Sequence, residues 1–412
     1  MRILWVKADK LLPVHNGGNI RSYHLLRYLS SQHDLTFYSY YGDRPDSDYD
    51  RELQQHLPGA VGVWTGERAR SGVGRSLDYL SHLPETAPYA VSRFGQKVVK
   101  RQLDDWFSQR KFDVAVCDFL DAAVNFPEHL GIPSVLFQHN VESEIWRRHA
   151  ETASNPVRKA IYGMEYRKML RFEESAVRKF HHVIAVSEND RAIMARWVAP
   201  EHITVVPTGV DLAQYSPSPG ASATAPLVTF VGAMDWEPNI DGVEFFCGEI
   251  WPLIQSEVPE ARFRIVGRNP GRRVQRWASE RVEVTGQVAS VVEHLRQSAV
   301  VIVPLRIGGG TRLKIYEAMA TAKPIVSTTV GAEGLDVQHG HDIILADDVR
   351  SFSQAVVMLL RDSDLRRRYE SAAVATASRF DWPSIGQRFD EVLRSVAEGR
   401  ACAATVVPTA SA

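Results

Sequence analysis

Short apolar runs alternate with longer stretches of helical periodicity along almost the whole chain, a pattern that predicts parallel βαβ units. In the first half the strand candidates are Arg2–Val6, Leu35–Tyr40, Asp113–Cys117, Ser134–Phe137, Val183–Val186 and Thr204–Val206. Helical stretches lie between them at Asn19–Leu29, Ser92–Phe107, Val157–Lys179 and Asn189–Trp197. Residues 42–91, rich in Gly, Pro and Asp, predict loops around one strand, Gly59–Trp64.

Ser216–Pro226 reads SPSPGASATAP, a composition that builds no core and predicts a linker. The alternation then restarts, with strands at Leu227–Val231, Ala261–Val266, Val282–Val284, Ala299–Val303, Pro324–Ser327 and Ile343–Leu345. Helices are predicted at Ile240–Ile254, Val288–Gln297, Thr311–Ala322, Val349–Leu360, Leu365–Ser378 and Pro383–Ala397. The fold class is therefore α/β, with a Rossmann-like N-terminal domain over 1–215, a linker at 216–226 and a second such domain over 227–380. A helix at 381–398 is expected to pack back toward the first domain, and 399–412 has the composition of a disordered tail. Two parallel sheets joined by one linker predict an interdomain cleft, with ligands at the carboxyl ends of the strands.

At 412 residues the chain exceeds one ordinary core, and 44% hydrophobic with 24% charged residues is a globular composition. Forty-eight basic residues nearly balance 49 acidic ones, so no basic excess points to nucleic acid. Cys117, Cys247 and Cys402 are odd in number and widely spaced, which argues against a disulfide framework and a zinc site. Lys7, Asp9 and Lys10 interrupt the opening apolar run before it could serve as a signal, and no run reaches the ~18–20 apolar residues of a membrane span. A cytoplasmic protein is expected.

The sharpest local signal runs from Val303 to Pro324. Gly308, Gly309 and Gly310 follow a buried strand, then Thr311, Arg312 and Lys314 open a helix that carries Glu317. Consecutive glycines let a ligand approach the backbone, and free N–H groups at the helix start attract an anion. Cations in a first helical turn oppose the macrodipole, a conflict that a bound phosphate resolves. The bland alternative is a flexible turn before a solvated basic helix end. Glu317, one turn beyond Lys314, could accept both hydroxyls of a ribose or form a surface pair with Lys314. No GxxxxGK[ST] or strand–GxGxxG pattern is present.

Gly308–Pro324 resembles the donor-binding motif of family 4 glycosyltransferases (the group 1 family), which ends Glu-Ala-Met-Ala before Pro-Ile. Val205–Asp211, Val186-Ser187-Glu188, Asn16-Gly17-Gly18 and Phe230-Val-Gly232 are similar to other motifs of that family, so the resemblance spans about the whole chain. It implies the two-domain GT-B fold, a nucleoside-diphosphate-sugar co-substrate, retention of anomeric configuration, no metal and no further cofactor. By the resemblance, Gly17, Gly18, Gly232, Gly308, Gly309, Gly310, Thr311, Arg312, Lys314 and Glu317 bind the donor. Arg268, after Ile265-Val-Gly267, and Val288, in Gly286-Gln-Val288, are added on position.

Two departures stand out. Gly309 replaces the first of the family's two glutamates, and Ala233-Met-Asp-Trp-Glu-Pro-Asn239 replaces the usual Arg and Lys. With these changes the chain resembles a bacterial subgroup linked to exopolysaccharide synthesis. His139, ending the strand Ser134–Phe137, is expected beside donor sugar and acceptor, and a satisfied loop histidine is the alternative. Catalysis is assigned to His139, Arg312 and Lys314, the two cations stabilising the leaving diphosphate. Asp46-Ser-Asp48 is weak ground for a metal site. The acceptor is a glycan, a lipid-linked species or a small molecule.

Val157–His182 sets Arg158, Lys159, Arg167, Lys168, Arg171, Arg178 and Lys179 beside Ile161, Tyr162, Met164, Tyr166 and Met169. Contact with the inner face of the membrane is one reading; Glu165, Glu173 and Glu174 make a solvated face the other. Two functional alternatives stay open: a nucleotide-sugar 2-epimerase of the same fold, and a catalytically silent sugar-nucleotide-binding protein.

Overall fold

The computed structural model describes residues 1–14, 16–42, 45–66, 78–153, 155–217, 225–307 and 312–400. Over these the chain divides into two compact units: Met1–Pro207 together with the chain from Ile385 onward, and Thr208–Ser384.

In the first unit the strands are β1 (Arg2–Ala8), β2 (Asp34–Tyr41), β3 (Val61–Trp64), β4 (Val114–Asp118), β5 (Ser134–Phe137), β6 (His182–Ala185) and β7 (Ile203–Val205). They form one parallel sheet in the order β3-β2-β1-β4-β5-β6-β7, with Ile3 beside both Leu35 and Val114. Strands β4 and β5 are buried throughout and β1 beyond its first residue, so they read as mostly apolar runs, interrupted by Lys7 in β1 and by Asp118 at the end of β4. The main helices are α1 (Gly17–Ser30), α2 (Ser47–His56), α3 (Lys97–Ser108), α4 (Glu142–Thr152), α5 (Pro156–Lys179) and α6 (Glu188–Met194).

Helices α2 and α4 were not predicted. Asp46 caps α2 by accepting from Tyr49 N at 2.9 Å and pairs with Lys10 Nζ at 2.7 Å, so the Asp-Ser-Asp sequence is a helix start. Helix α4 has no capping side chain at Val141. Its first N–H groups go instead to the distant Glu173, from Glu142 N at 2.8 Å and Ser143 N at 3.0 Å.

The second unit holds β8 (Leu227–Val231), β9 (Arg262–Val266), β10 (Val282–Gly286), β11 (Val300–Val303), β12 (Ile325–Ser327) and β13 (Ile344–Leu345), parallel, in the order β10-β9-β8-β11-β12-β13. Helices α7 (Glu237–Phe245), α8 (Trp251–Glu257), α9 (Val291–Gln297), α10 (Leu313–Ala320), α11 (Val349–Arg361) and α12 (Ser363–Ala377) cover it. The single helix predicted at Ile240–Ile254 is divided by a wide π-type turn at Phe246–Ile250. Pro252 lacks the N–H that a regular α-turn would use there.

The predicted boundary at residue 215 also moves. Residues 208–215 pack in the second unit because Val210 N donates to Phe380 O at 2.8 Å and Gly209 lies flat on the Trp382 indole. A β-carbon at Gly209 would stand 2.5 Å from that ring. The last helix, α13 (Trp382–Ala397), belongs to the first unit from Ile385 on. There Phe389 lies 5.4 Å from the Trp5 ring and 5.0 Å from Phe137, and Asp390 Oδ1 meets His33 Nε2 at 2.6 Å.

Phe389→Ala removes a fully buried ring from this core, and a loss of about 3–5 kcal/mol is expected. Chemical denaturation should show the first unit's transition at a lower midpoint; a loss below ~1 kcal/mol would mean that α13 contributes little to that core.

Candidate functional site

In an open parallel sheet, ligands collect where the strand order reverses, outside the carboxyl ends. The second sheet reverses between β8 and β11, and the first between β1 and β4. Among the described residues, the predicted ones other than Val288 lie near these two places.

In the second unit β8 ends at Val231, and Gly232 follows. A β-carbon there would come within 2.6 Å of Asn239 Nδ2, so only glycine admits the amide. Asn239, at the start of α7 and buried, donates through Nδ2 to Ala233 O at 2.9 Å and accepts at Oδ1 from Lys314 Nζ, also at 2.9 Å. The Lys314 ammonium lies 4.7 Å from the Phe230 ring. Withdrawal from water, helped by the neighbouring Arg312 charge, pulls Lys314 down to about 7 against the pull of Glu317.

Arg312 is buried at the cap of α10, its guanidinium 5.5 Å from the Trp236 ring. Glu317, one turn on, accepts a hydrogen bond from the Tyr215 phenol. Burial raises its carboxyl, and the Tyr215 and Lys314 contacts oppose the rise. The two residues therefore turn to Asn239 and Tyr215, each keeping an electrostatic link to the other. Arg268 follows β9, its backbone O accepting from Met234 N at 2.9 Å, with Nε 3.9 Å from Asp235 Oδ2. Val288 sits farther out, in the loop after the edge strand β10. Gly308, Gly309, Gly310 and Thr311 lie outside the described residues.

In the first unit Gly17 and Gly18 open α1, which Asn16 caps by accepting from Asn19 N at 2.8 Å. His139 stands just past β5, so that a β-carbon on Gly18 would be 3.2 Å from its Nδ1. Its Nε2 donates to Asp118 Oδ1 at 2.8 Å, at the end of β4. Asp118 Oδ2 accepts from Trp5 Nε1 at 2.9 Å and lies 3.4 Å from Lys7 Nζ. Burial would raise the Asp118 carboxyl, but Lys7 and His139 outweigh it and hold it well below the carboxylate range. Burial pulls His139 down to about 4, beyond what the Asp118 contact restores. The imidazole is thus neutral, with its proton on Nε2 and the Nδ1 lone pair toward Gly18.

Three acids lie close by. Burial raises Glu173 to about 7, against the hydrogen bonds that it accepts. It raises Glu142 to about 8, with Asp121 and Glu173 adding to the effect. Among the described residues no group of three His, Cys, Asp or Glu side chains is placed to hold a metal ion.

The sequence reading missed Asp118, Lys7, Tyr215 and the role of Asn239. Asp118 and Lys7 left a trace as charged residues inside apolar strands; Tyr215 left none.

The buried neutral imidazole gives a test. Because the folded value is lowered from an ordinary 6.5, His139 contributes stability that is full above that value and is lost as pH falls toward about 4. Nuclear magnetic resonance of the ring nitrogens should show His139 neutral, with the Nε2–H tautomer, across pH 5–8. A midpoint near 6.5 would mean that burial does not hold the imidazole neutral, and the assigned tautomer would fall with it.

Comparison with known proteins finds relatives for both parts of the chain. The family model described as Glycosyltransferase Family 4 matches residues 15–214, and that described as Glycosyl transferases group 1 matches residues 225–362. Phosphatidyl-myo-inositol mannosyltransferase of Mycobacterium leprae is 27% identical over 225 residues, covering 52% of this chain and 59% of that one. The GDP-mannose:cellobiosyl-diphosphopolyprenol alpha-mannosyltransferase of Xanthomonas oryzae is 29% identical over 230 residues, covering 51% and 57%. The chain thus spans little more than half the length of these two relatives. Among solved structures, sucrose-phosphate synthase from Thermosynechococcus elongatus superposes with a TM-score of 0.71 at 16% identity, covering 97% of this chain and 100% of its own. The two Rossmann-like sheets are those of the GT-B fold, and the chain belongs to the family 4 (group 1) glycosyltransferases.

Proposed function

We propose that the chain transfers a sugar from a nucleoside-diphosphate-sugar, held by the second unit, to an acceptor hydroxyl with retention of configuration and without a metal. The observation that carries this reading is the cluster at the start of α10: Arg312 at the cap, Lys314 oriented by Asn239, and Glu317 one turn beyond. Two cations and a carboxylate, spaced along one helix end at a strand-order reversal, match a diphosphate followed by a ribose.

The roles follow from charge. The ribose hydroxyls take the Glu317 carboxylate in place of the Tyr215 phenol. As the bond from the sugar's anomeric carbon to the phosphate oxygen breaks, negative charge grows on the leaving diphosphate, where Arg312 and Lys314 are already fixed. The acceptor oxygen attacks from the same face, and its proton passes to the leaving phosphate oxygen. His139, neutral, accepts a hydroxyl hydrogen bond at Nδ1. Gly17 and Gly18, Gly232, Arg268 and Val288 complete the donor set with Gly308, Gly309, Gly310 and Thr311.

The Xanthomonas relative is named for GDP-mannose and a diphosphopolyprenol-linked acceptor. A mannosyl donor and a lipid-linked glycan acceptor, in exopolysaccharide or other glycoconjugate synthesis at the cytoplasmic side of a membrane, fit this reading best.

Thermal unfolding with GDP, UDP, ADP and their sugar conjugates tests it. At about 100 times its dissociation constant a ligand adds about 2.7 kcal/mol, a clear midpoint shift. One nucleotide series should give that shift, keep it in EDTA and lose it in Arg312→Ala. No shift with any series would overturn the donor assignment. The ammonium of Lys314 is the binding form, and its free value is about 7. Affinity by calorimetry should therefore fall as pH rises above 7, by up to about tenfold per unit, with proton uptake on binding. Affinity unchanged between pH 7 and 9 would exclude Lys314 from the diphosphate contact.

A further inference from the structure

Helix α5 carries a feature that sugar transfer does not use. In sequence its basic run is broken by Glu165, Glu173 and Glu174, but two of these leave the surface. Glu165 is 1% exposed and accepts from the Tyr79 hydroxyl at 3.2 Å and from Tyr89 N at 2.9 Å. Glu173 is fully buried under the start of α4. Glu174 is paired by Arg178 at 2.9 Å. Lys168 is also withdrawn, donating to Leu83 O at 2.8 Å.

What remains outside is charge of one sign. Arg158, Lys159, Arg167 and Arg171 are exposed and have no acidic partner among the described residues. Residues 156–161 are exposed on every side of the helix, and Val157, at 67%, is the most exposed large apolar side chain among the described residues. Val157, Ile161, Arg167 and Arg171 fall on one face by helical spacing. The helical residues 78–82, tied to α5 through Tyr79–Glu165 and Lys168–Leu83, add Leu80 at 55% exposure. A helix face meant only for water has no use for two exposed aliphatic side chains among unpaired cations, with a third on the segment tied to it, whereas an apolar stripe bordered by cations is suited to a lipid–water interface.

We propose that this end of α5, with Leu80, docks the chain on an anionic lipid bilayer. Val157, Ile161 and Leu80 enter the acyl boundary, while Arg158, Lys159, Arg167 and Arg171 meet lipid phosphates. The attraction of each cation to the charged surface adds to the others and fades within a Debye length, so binding depends on both anionic lipid and salt. Among the described residues no helix is long and apolar enough to cross a membrane. Docking requires no donor and stands or falls apart from the transferase reading.

Co-sedimentation of the full chain with vesicles tests it. Vesicles of equal parts phosphatidylcholine and phosphatidylglycerol should pull the protein down, and pure phosphatidylcholine should not. Arg158→Glu with Lys159→Glu, Arg167→Glu and Arg171→Glu should cut the bound fraction about tenfold or more. Val157→Ser with Ile161→Ser should cut it several-fold. Both variants should keep the parent melting midpoint and nucleotide response, since the altered side chains are exposed. The proposal fails if the parent stays in the supernatant with anionic vesicles, if neutral vesicles bind it equally, or if the charge-reversed chain sediments like the parent.

Discussion

An ammonium group drawn away from water must be given partners, and at the carboxyl edge of the second sheet the arrangement turns on that need. Lys314 takes the Asn239 amide oxygen and the Phe230 ring. Asn239 in turn needs the space that only Gly232 leaves, and fixes the turn after β8 through Ala233 O. The Met-Asp-Trp-Glu-Pro-Asn segment, which departs from the family's usual cations, thus supplies the residue that aims the remaining lysine. A charge so poorly solvated gains more from an arriving anion than a surface lysine would.

The first unit answers the opposite problem, a buried carboxylate. Asp118 sits at the end of β4 among Trp5, Lys7 and His139, each contributing a donor or a charge. Because the carboxylate is ionised, the histidine beside it must present a proton at Nε2. Its other nitrogen, facing Gly18, is therefore an acceptor. The tautomer is fixed by the protein's interior. Both edges share one logic: buried polar groups gather at strand ends beside a topological reversal, and neighbouring chain supplies their partners.

Elements with local causes were legible in the sequence. Strands β5 and β8 fall where their apolar runs lie, and α5 and α11 follow their periodicity nearly to the residue. Elements whose causes lie elsewhere in the chain were not. Helix α4 starts on a carboxylate about thirty positions downstream, so no local cap announces it. Residues 208–215 look like the tail of the first domain until Trp382 receives Gly209. The charge of α5 looks mixed until Glu165 and Glu173 turn inward.

The sequence by itself determined the class of fold, the division into two parallel sheets and the helix on which Arg312, Lys314 and Glu317 sit. Those features depend on periodicity, strand propensity and spacing within a few residues, all of them local. Only the tertiary structure decided which polar groups meet: Asn239 with Lys314, Tyr215 with Glu317, Asp118 with His139. These partners are separated by as many as 102 positions, as Tyr215 and Glu317 are, and nothing in the intervening chain encodes the encounter. Their pairing follows from which strand ends the sheet brings side by side, and from the free-energy cost of leaving a buried charge alone.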